Sequence, residues 1–220
     1  MDEQQLQSIA AQLRQPHGDF ALQVGEMMNT GNLHMNLGAI EAVKPTAGDN
    51  ILEIGMGNGF FVPKILSVDD TIRYTGCDFS EMMVEESRKR NEAYVQNERA
   101  QFLLCSADAL PFAEETFDKA FSVNTVYFWE NQQAVLAEIH RVLKPKGQIT
   151  LAIRPKSIMQ HYPFVKYGFN MFTKEDLINL LTENHFRVTD AVEKDEPETE
   201  IGGVKLKVAM VVVSAEKQEK

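Results

Sequence analysis

Three acids in the first half of this chain stand at or near the end of apolar runs, where a carboxylate can meet a ligand. Glu53 lies in Asn50-Ile51-Leu52-Glu53-Ile54, and Gly55, Gly57 and Gly59 follow in alternate places. Glycines there supply positions where φ can be positive and where no Cβ holds a ligand off the backbone. Asp78 closes Arg73-Tyr74-Thr75-Gly76-Cys77-Asp78, about 20 residues beyond the glycines, and could accept both hydroxyls of a ribose. Asp108, in Cys105-Ser106-Ala107-Asp108-Ala109-Leu110-Pro111-Phe112, could accept the exocyclic N–H of adenine while its small neighbours sandwich the ring. Taken alone, Asp108 reads better as a turn-forming residue. Its place after the other two acids favours the ligand. His34, Tyr127 and His161 are the groups to test as bases, although a lone histidine is more often structural.

These side chains need strands and turns to hold them. Ile51, Leu52 and Ile54 form the apolar run of a parallel strand covered on both faces, entering the glycine turn and then a helix from Phe60 to Leu66 with Pro63 in its first turn. Further strands are expected at 73–78, in 101–112, at Phe117–Asn124 and at Gln148–Ile153, with helices from Glu81 to Arg90 behind a Ser80 cap and from Gln132 to Leu143. Met83 is expected to point inward. Lys144-Pro145-Lys146-Gly147 reads as a helix stop and tight turn, and His140 as a solvated residue. Upstream, an amphipathic helix over 2–14, a second from Phe20 to Met28 broken by Asn29-Thr30-Gly31-Asn32, and a third from Leu33 to Val43 capped by Asn32 precede the first strand. Downstream, Thr173 caps a helix reaching about His185. Strands near 186–193 and 204–214 follow, joined by an acidic link over 195–203.

Composition limits the partners. The net charge of −10 with scattered Lys and Arg argues against a surface that tracks nucleic-acid phosphates. Two cysteines give no disulfide framework, no metal site is indicated, and no stretch reaches membrane-spanning length, so a cytoplasmic protein is expected. Nicotinamide chemistry would require a small residue at the sixth place of the glycine turn, where Phe60 stands.

The sequence Glu53-x-Gly55-x-Gly57-x-Gly59 resembles the first motif of class I S-adenosylmethionine-dependent methyltransferases. The stretch 76–83 is similar to their second motif, 105–112 to their adenine-reading motif, and Glu138–Gly147 to a later hallmark, with Lys146 where a glycine often stands. Together these cover about residues 46 to 153, and they resemble small-molecule methyltransferases of the ubiquinone and menaquinone biosynthesis group. The resemblance implies an α/β, Rossmann-like, doubly wound, seven-stranded, mostly parallel sheet with an antiparallel C-terminal hairpin. It implies a domain over 46–215, an N-terminal helical cap or lid over 1–45, and a disordered tail over 216–220. It also implies S-adenosylmethionine as cofactor, held by Glu53, Gly55, Gly57, Gly59, Asp78, Phe79, Met83, Ala107, Asp108, Ala109 and Asn124. Met28, Asn32, Met35, Thr125, Trp129, Arg154, Tyr162 and Tyr167 would surround a small-molecule acceptor, with His34 and Tyr127 nearby. A nicotinamide-dependent oxidoreductase and a non-catalytic nucleoside-binding partner protein are the rival readings.

Overall fold

The computed structural model describes residues 1–197, 199–201, 204–206 and 208–219. Its seven-stranded sheet is built from β1 (Asn50–Ile54), β2 (Arg73–Asp78), β3 (Ala100–Leu104), β4 (Phe117–Val123), β5 (Leu143–Ile153), β6 (Phe186–Asp195) and β9 (Ala209–Lys217). The order is β3-β2-β1-β4-β5-β9-β6. The first five run parallel, and β9 lies antiparallel between β5 and β6. The strand order reverses between β1 and β4, so the crevice at their carboxyl ends is the place for a ligand.

Both faces of the sheet are covered, and β1 shows how one apolar run serves two cores. Leu52 and Ile54 pack in a cluster with Leu136 and Ile139 of α7 (Gln132–Val142) and Leu177 and Leu181 of α9 (Lys174–Glu183). Ile51 faces the other way, with Met35 and Ile40 of α3 (Leu33–Val43), Ile65 of α4 (Val62–Leu66) and Val84 of α5 (Glu81–Arg90). Two short helices, α6 (Glu92–Gln96) and α8 (Lys156–Met159), complete the connections. Ser80 caps α5 by accepting from the Met83 N–H, and Met83 is fully buried, as the sequence predicts. At the amino end, α1 (Glu3–Arg14) opens with a reciprocal Asp2–Gln5 capping box, and α2 (Ala21–Gly31) and α3 follow.

Several expectations are corrected. The second helix runs through Asn29 and Thr30 to Gly31, and Asn32 makes no side-chain cap to α3. Its carboxamide is engaged by Asn124 instead. The turn at 144–147 interrupts β5 rather than preceding it: Leu143 already pairs with Phe117, and the register resumes at Lys119 and Gln148. His140 is 7 % exposed, with Nε2 against the Gln218 carbonyl, so it is buried rather than solvated. The link after β6 contains a small antiparallel pair, β7 (Thr199–Ile201) and β8 (Val204–Leu206), while positions 198, 202, 203 and 207 lie outside the described residues. Glu216 and Lys217, expected in a loose tail, pair with Arg187 and Phe186; residue 220 lies outside the description. Among the described residues no helix is long and apolar enough to cross a membrane.

Candidate active site

The carboxyl ends of β1, β2 and β4 and the segment after β3 surround a cavity of about 310 Å³, roofed by residues of α1, α2 and α3. Glu53, Asp78 and Asp108 all line it. Asp78 is 8 % exposed; its Oδ2 accepts from the Gly57 N–H at 3.1 Å and its Oδ1 from the Ser80 N–H at 2.8 Å. Each oxygen keeps lone-pair capacity for a ligand diol. Burial pushes the Asp78 carboxyl up to about 6, against the pull of those N–H groups.

Glu53 is 5 % exposed and takes the Tyr74 hydroxyl at 2.5 Å. Burial lifts its carboxyl to about 7, with the Tyr74 bond opposing and the Asp78 charge adding. Gly76 makes the pairing possible, since a Cβ there would stand 3.1 Å from the Tyr74 hydroxyl. Gly55 and Gly57 line the cavity, and at Gly57, with φ +57°, an added Cβ would meet no atom within 4 Å. That open cradle beside Asp78 admits a ligand against the backbone.

Phe79, Met83, Ala107, Asn124, Met28, Asn32, Thr125 and Trp129 also line the cavity. The other expected residues do not. Gly59 packs on α5 instead: a Cβ there would lie 2.7 Å from Asn91 Nδ2 and 2.9 Å from Ser87 Oγ. Ala109 is exposed beyond the lining, and Met35 is fully buried in the core beneath α3. Arg154 forms a buried ion pair with Glu196 at 3.1 Å, Tyr162 stacks on Phe164, and Tyr167 donates to Glu3 at 2.7 Å. His34 and His161 are exposed and away from the cavity. Tyr127 is 2 % exposed behind it, hydrogen-bonded to Asn124 and Arg154, and burial pushes its hydroxyl well above the ordinary tyrosine value. None of these three is placed to take a proton from a bound acceptor. The Phe60 ring, expected to block a pyrophosphate, is 43 % exposed and lies under the Arg90 guanidinium outside the cavity.

Sequence reasoning missed other lining residues. Arg14 and Glu130 meet at 2.5 Å across the mouth, and Asn29 and Asn36 stand with Asn32 on the roof. Asn29, Asn32 and Asn36 recur at helical spacing, the one signal that could have grouped them. Cys77 and Cys105 line the wall beside Asp78 and Asp108.

Residues 52–151 match the family model described as a methyltransferase domain. An O-methyltransferase from Pyrenophora dematioidea is 27% identical over 176 residues, covering 76% of this chain and 65% of its own. The ubiquinone/menaquinone biosynthesis C-methyltransferase of Paracoccus denitrificans is 32% identical over 133 residues, 58% of this chain and 52% of its own. The match thus spans between half and two thirds of these relatives' lengths. A chain from the complex between the Haloferax volcanii Trm112 methyltransferase activator and a methyltransferase superposes with a TM-score of 0.77 at 17% identity, covering 100% of this chain and 99% of that one. The fold is therefore shared end to end, and the resemblance read from the motifs is borne out.

Proposed function

We propose that this chain, whose residues 52–151 match the methyltransferase domain family, catalyses methyl transfer from S-adenosylmethionine to a small-molecule acceptor by in-line displacement. The reading rests on Glu53, Asp78 and Asp108 lining one cavity at the switch point of the sheet. When bound, the cofactor supplies an electrophilic methyl carbon on a sulfonium. Asp78 accepts the ribose hydroxyls and Asp108 the adenine amino group, while Phe79 and Ala107 flank the base. Gly55 and Gly57 admit the ligand to the backbone, and Glu53 orients its amino-acid end, directly or through water. Leu13, Met28 and Trp129 line the same space and exclude water. Positioning and dehydration then carry the rate, with no assigned base.

Calorimetric titration with S-adenosylmethionine, S-adenosylhomocysteine and NADH tests the reading. The first two should bind in the micromolar range, roughly −8 kcal/mol, and NADH should not. Because Phe60 lies outside the cavity, this comparison rather than sterics decides against nicotinamide chemistry. Asp78→Ala and Asp108→Ala should each weaken cofactor binding by about 1–3 kcal/mol, the cost of removing a hydrogen-bonding partner. Wild-type affinity in both variants would mean that the nucleoside lies elsewhere.

A further inference from the structure

Hydrogen-bond accounting fixes which way three roof and wall carboxamides are turned. The Arg154 backbone N–H, which can only donate, lies 3.2 Å from Asn124 Oδ1 and 2.5 Å from the Tyr127 hydroxyl, and that hydroxyl lies 2.8 Å from Asn124 Oδ1. Turning the Asn124 amide over would set its NH₂ against the Arg154 N–H, donor to donor. Asn124 therefore presents Nδ2 to its other neighbour, Asn32, whose Oδ1 accepts at 3.0 Å. The same logic applies one turn along α3. Asn36 Nδ2 donates to the Asn32 backbone carbonyl at 3.0 Å, and the reversed amide would place oxygen against oxygen.

Two polar atoms are left over. Asn32 Nδ2, with two hydrogens, and Asn36 Oδ1 have no hydrogen-bond partner among the described residues, and both residues line the cavity, half-buried, Asn32 at the residue just before α3 and Asn36 one turn into it. Charge on the surrounding wall is already committed. Arg14 is the one cation among the described lining residues and is paired with Glu130, and Glu53 holds the Tyr74 hydroxyl. A carboxylate or phosphate would find no free cation there among the described residues. Among the described residues an ammonium would find the three acids that the nucleoside reading already uses and Glu130, which is held by Arg14.

We propose that Asn32 and Asn36 form a neutral donor–acceptor pair that selects an uncharged hydroxylated methyl acceptor, Asn32 donating to its oxygen and Asn36 accepting its O–H. The inference rests on the methyltransferase reading above and adds the acceptor's chemical class. Asn124 is a positioning residue in it, held in the left-handed region at φ +57° by the Tyr127 and Arg154 bonds and fixing the Asn32 amide in turn.

The test uses the full chain saturated with S-adenosylhomocysteine and three fluorinated probes followed by fluorine NMR: 4-fluorophenol, 4-fluorobenzoate and 4-fluorobenzylamine. The phenol should bind about tenfold more tightly than the anion or the cation. Asn32→Asp retains an oxygen for Asn124 and loses both N–H donors; it should weaken 4-fluorophenol about tenfold while the S-adenosylhomocysteine affinity stays within about twofold. Asn36→Ala, which keeps the Asn32 side chain and its bond to Asn124 while removing the contact to the Asn32 carbonyl, should weaken it by a smaller factor and serves where Asn32→Asp fails to fold. Equal binding of the three probes, or none, with S-adenosylhomocysteine bound, overturns the inference and leaves the cofactor reading standing. A variant that loses S-adenosylhomocysteine but keeps the phenol assigns Asn32 to the cofactor and also overturns it. Failure of the wild type to bind S-adenosylhomocysteine removes both.

Discussion

Glu53 is a carboxyl group placed in the core of a sheet, and its cost should be measurable. Its folded value of about 7 lies above the ordinary 4.5 because burial disfavours the charge more than the Tyr74 bond restores it. Below about pH 4.5 both folded and unfolded chains hold the proton, and nothing is lost. Between pH 4.5 and 7 the unfolded chain releases it while the folded chain keeps it, so stability falls as pH rises, by roughly 3 kcal/mol at pH 8. Glu53→Gln has no proton to lose. Its stability relative to wild type, from urea unfolding, should improve by roughly 2–3 kcal/mol between pH 5 and pH 8. Asp78 titrates in both proteins and largely cancels from the difference. A pH-independent difference would show that Glu53 ionises normally. The sequence marked Glu53 by its place before the glycines. It did not mark Tyr74 as partner, because that contact depends on an absent side chain at Gly76 on the neighbouring strand.

The glycine turn, read as one ligand-facing element, divides into two jobs. Gly57 borders the cavity with nothing within 4 Å of an added Cβ, whereas Gly59 is pressed against Asn91 and Ser87 of the α5 end. Both have positive φ, so alanine costs about 1–2 kcal/mol of backbone strain at either position. At Gly59 the steric clash adds to that. Gly59→Ala should lose roughly 2–4 kcal/mol of unfolding free energy with cofactor affinity preserved in the fraction that folds. Gly57→Ala should lose only about 1–2 kcal/mol of stability, yet weaken S-adenosylmethionine binding about tenfold or more. Thermal melts paired with calorimetry on both variants would separate the roles, and matching profiles would contradict the division. Spacing located this turn and the strands beside it, since both follow from local pattern. Spacing could not tell Gly57 from Gly59, because the difference lies in what α5 brings back against the loop. The second helix overran its expected end at Met28 for a different reason. Asn and Thr only mildly disfavour helix, so Asn29 and Thr30 do not by themselves stop it.

Across the whole molecule, the α1 part of the roof is fastened far more lightly than the sheet. Only Leu6 and Ala10 of α1 are buried. The end of the helix is tied down by Arg14 to Glu130, by Gln15 Nε2 donating to the Phe79 carbonyl at 2.9 Å, and by Ser80 Oγ donating to the Pro16 carbonyl at 2.5 Å. Two of these three ties end on residues 79 and 80, beside Asp78, so occupancy of the cavity at Asp78 and closure of α1 bear on the same short segment. An element with so little buried area opens at a free energy well below that of global unfolding. The Arg14–Glu130 pair, with side chains 41% and 79% exposed, contributes at most about 1 kcal/mol to stability. Arg14→Ala should therefore move the melting temperature by no more than about 4 °C. Because both partners line the mouth, the same change should speed release of S-adenosylhomocysteine several-fold, read by stopped-flow displacement. Hydrogen exchange gives the complementary view, with amides of α1 exchanging faster than those of β1 and β4 and slowing when the ligand is bound. If Arg14→Ala lowered the melting temperature by much more and left the release rate unchanged, α1 would be a fixed wall of the domain, and ligand would have to enter by another face.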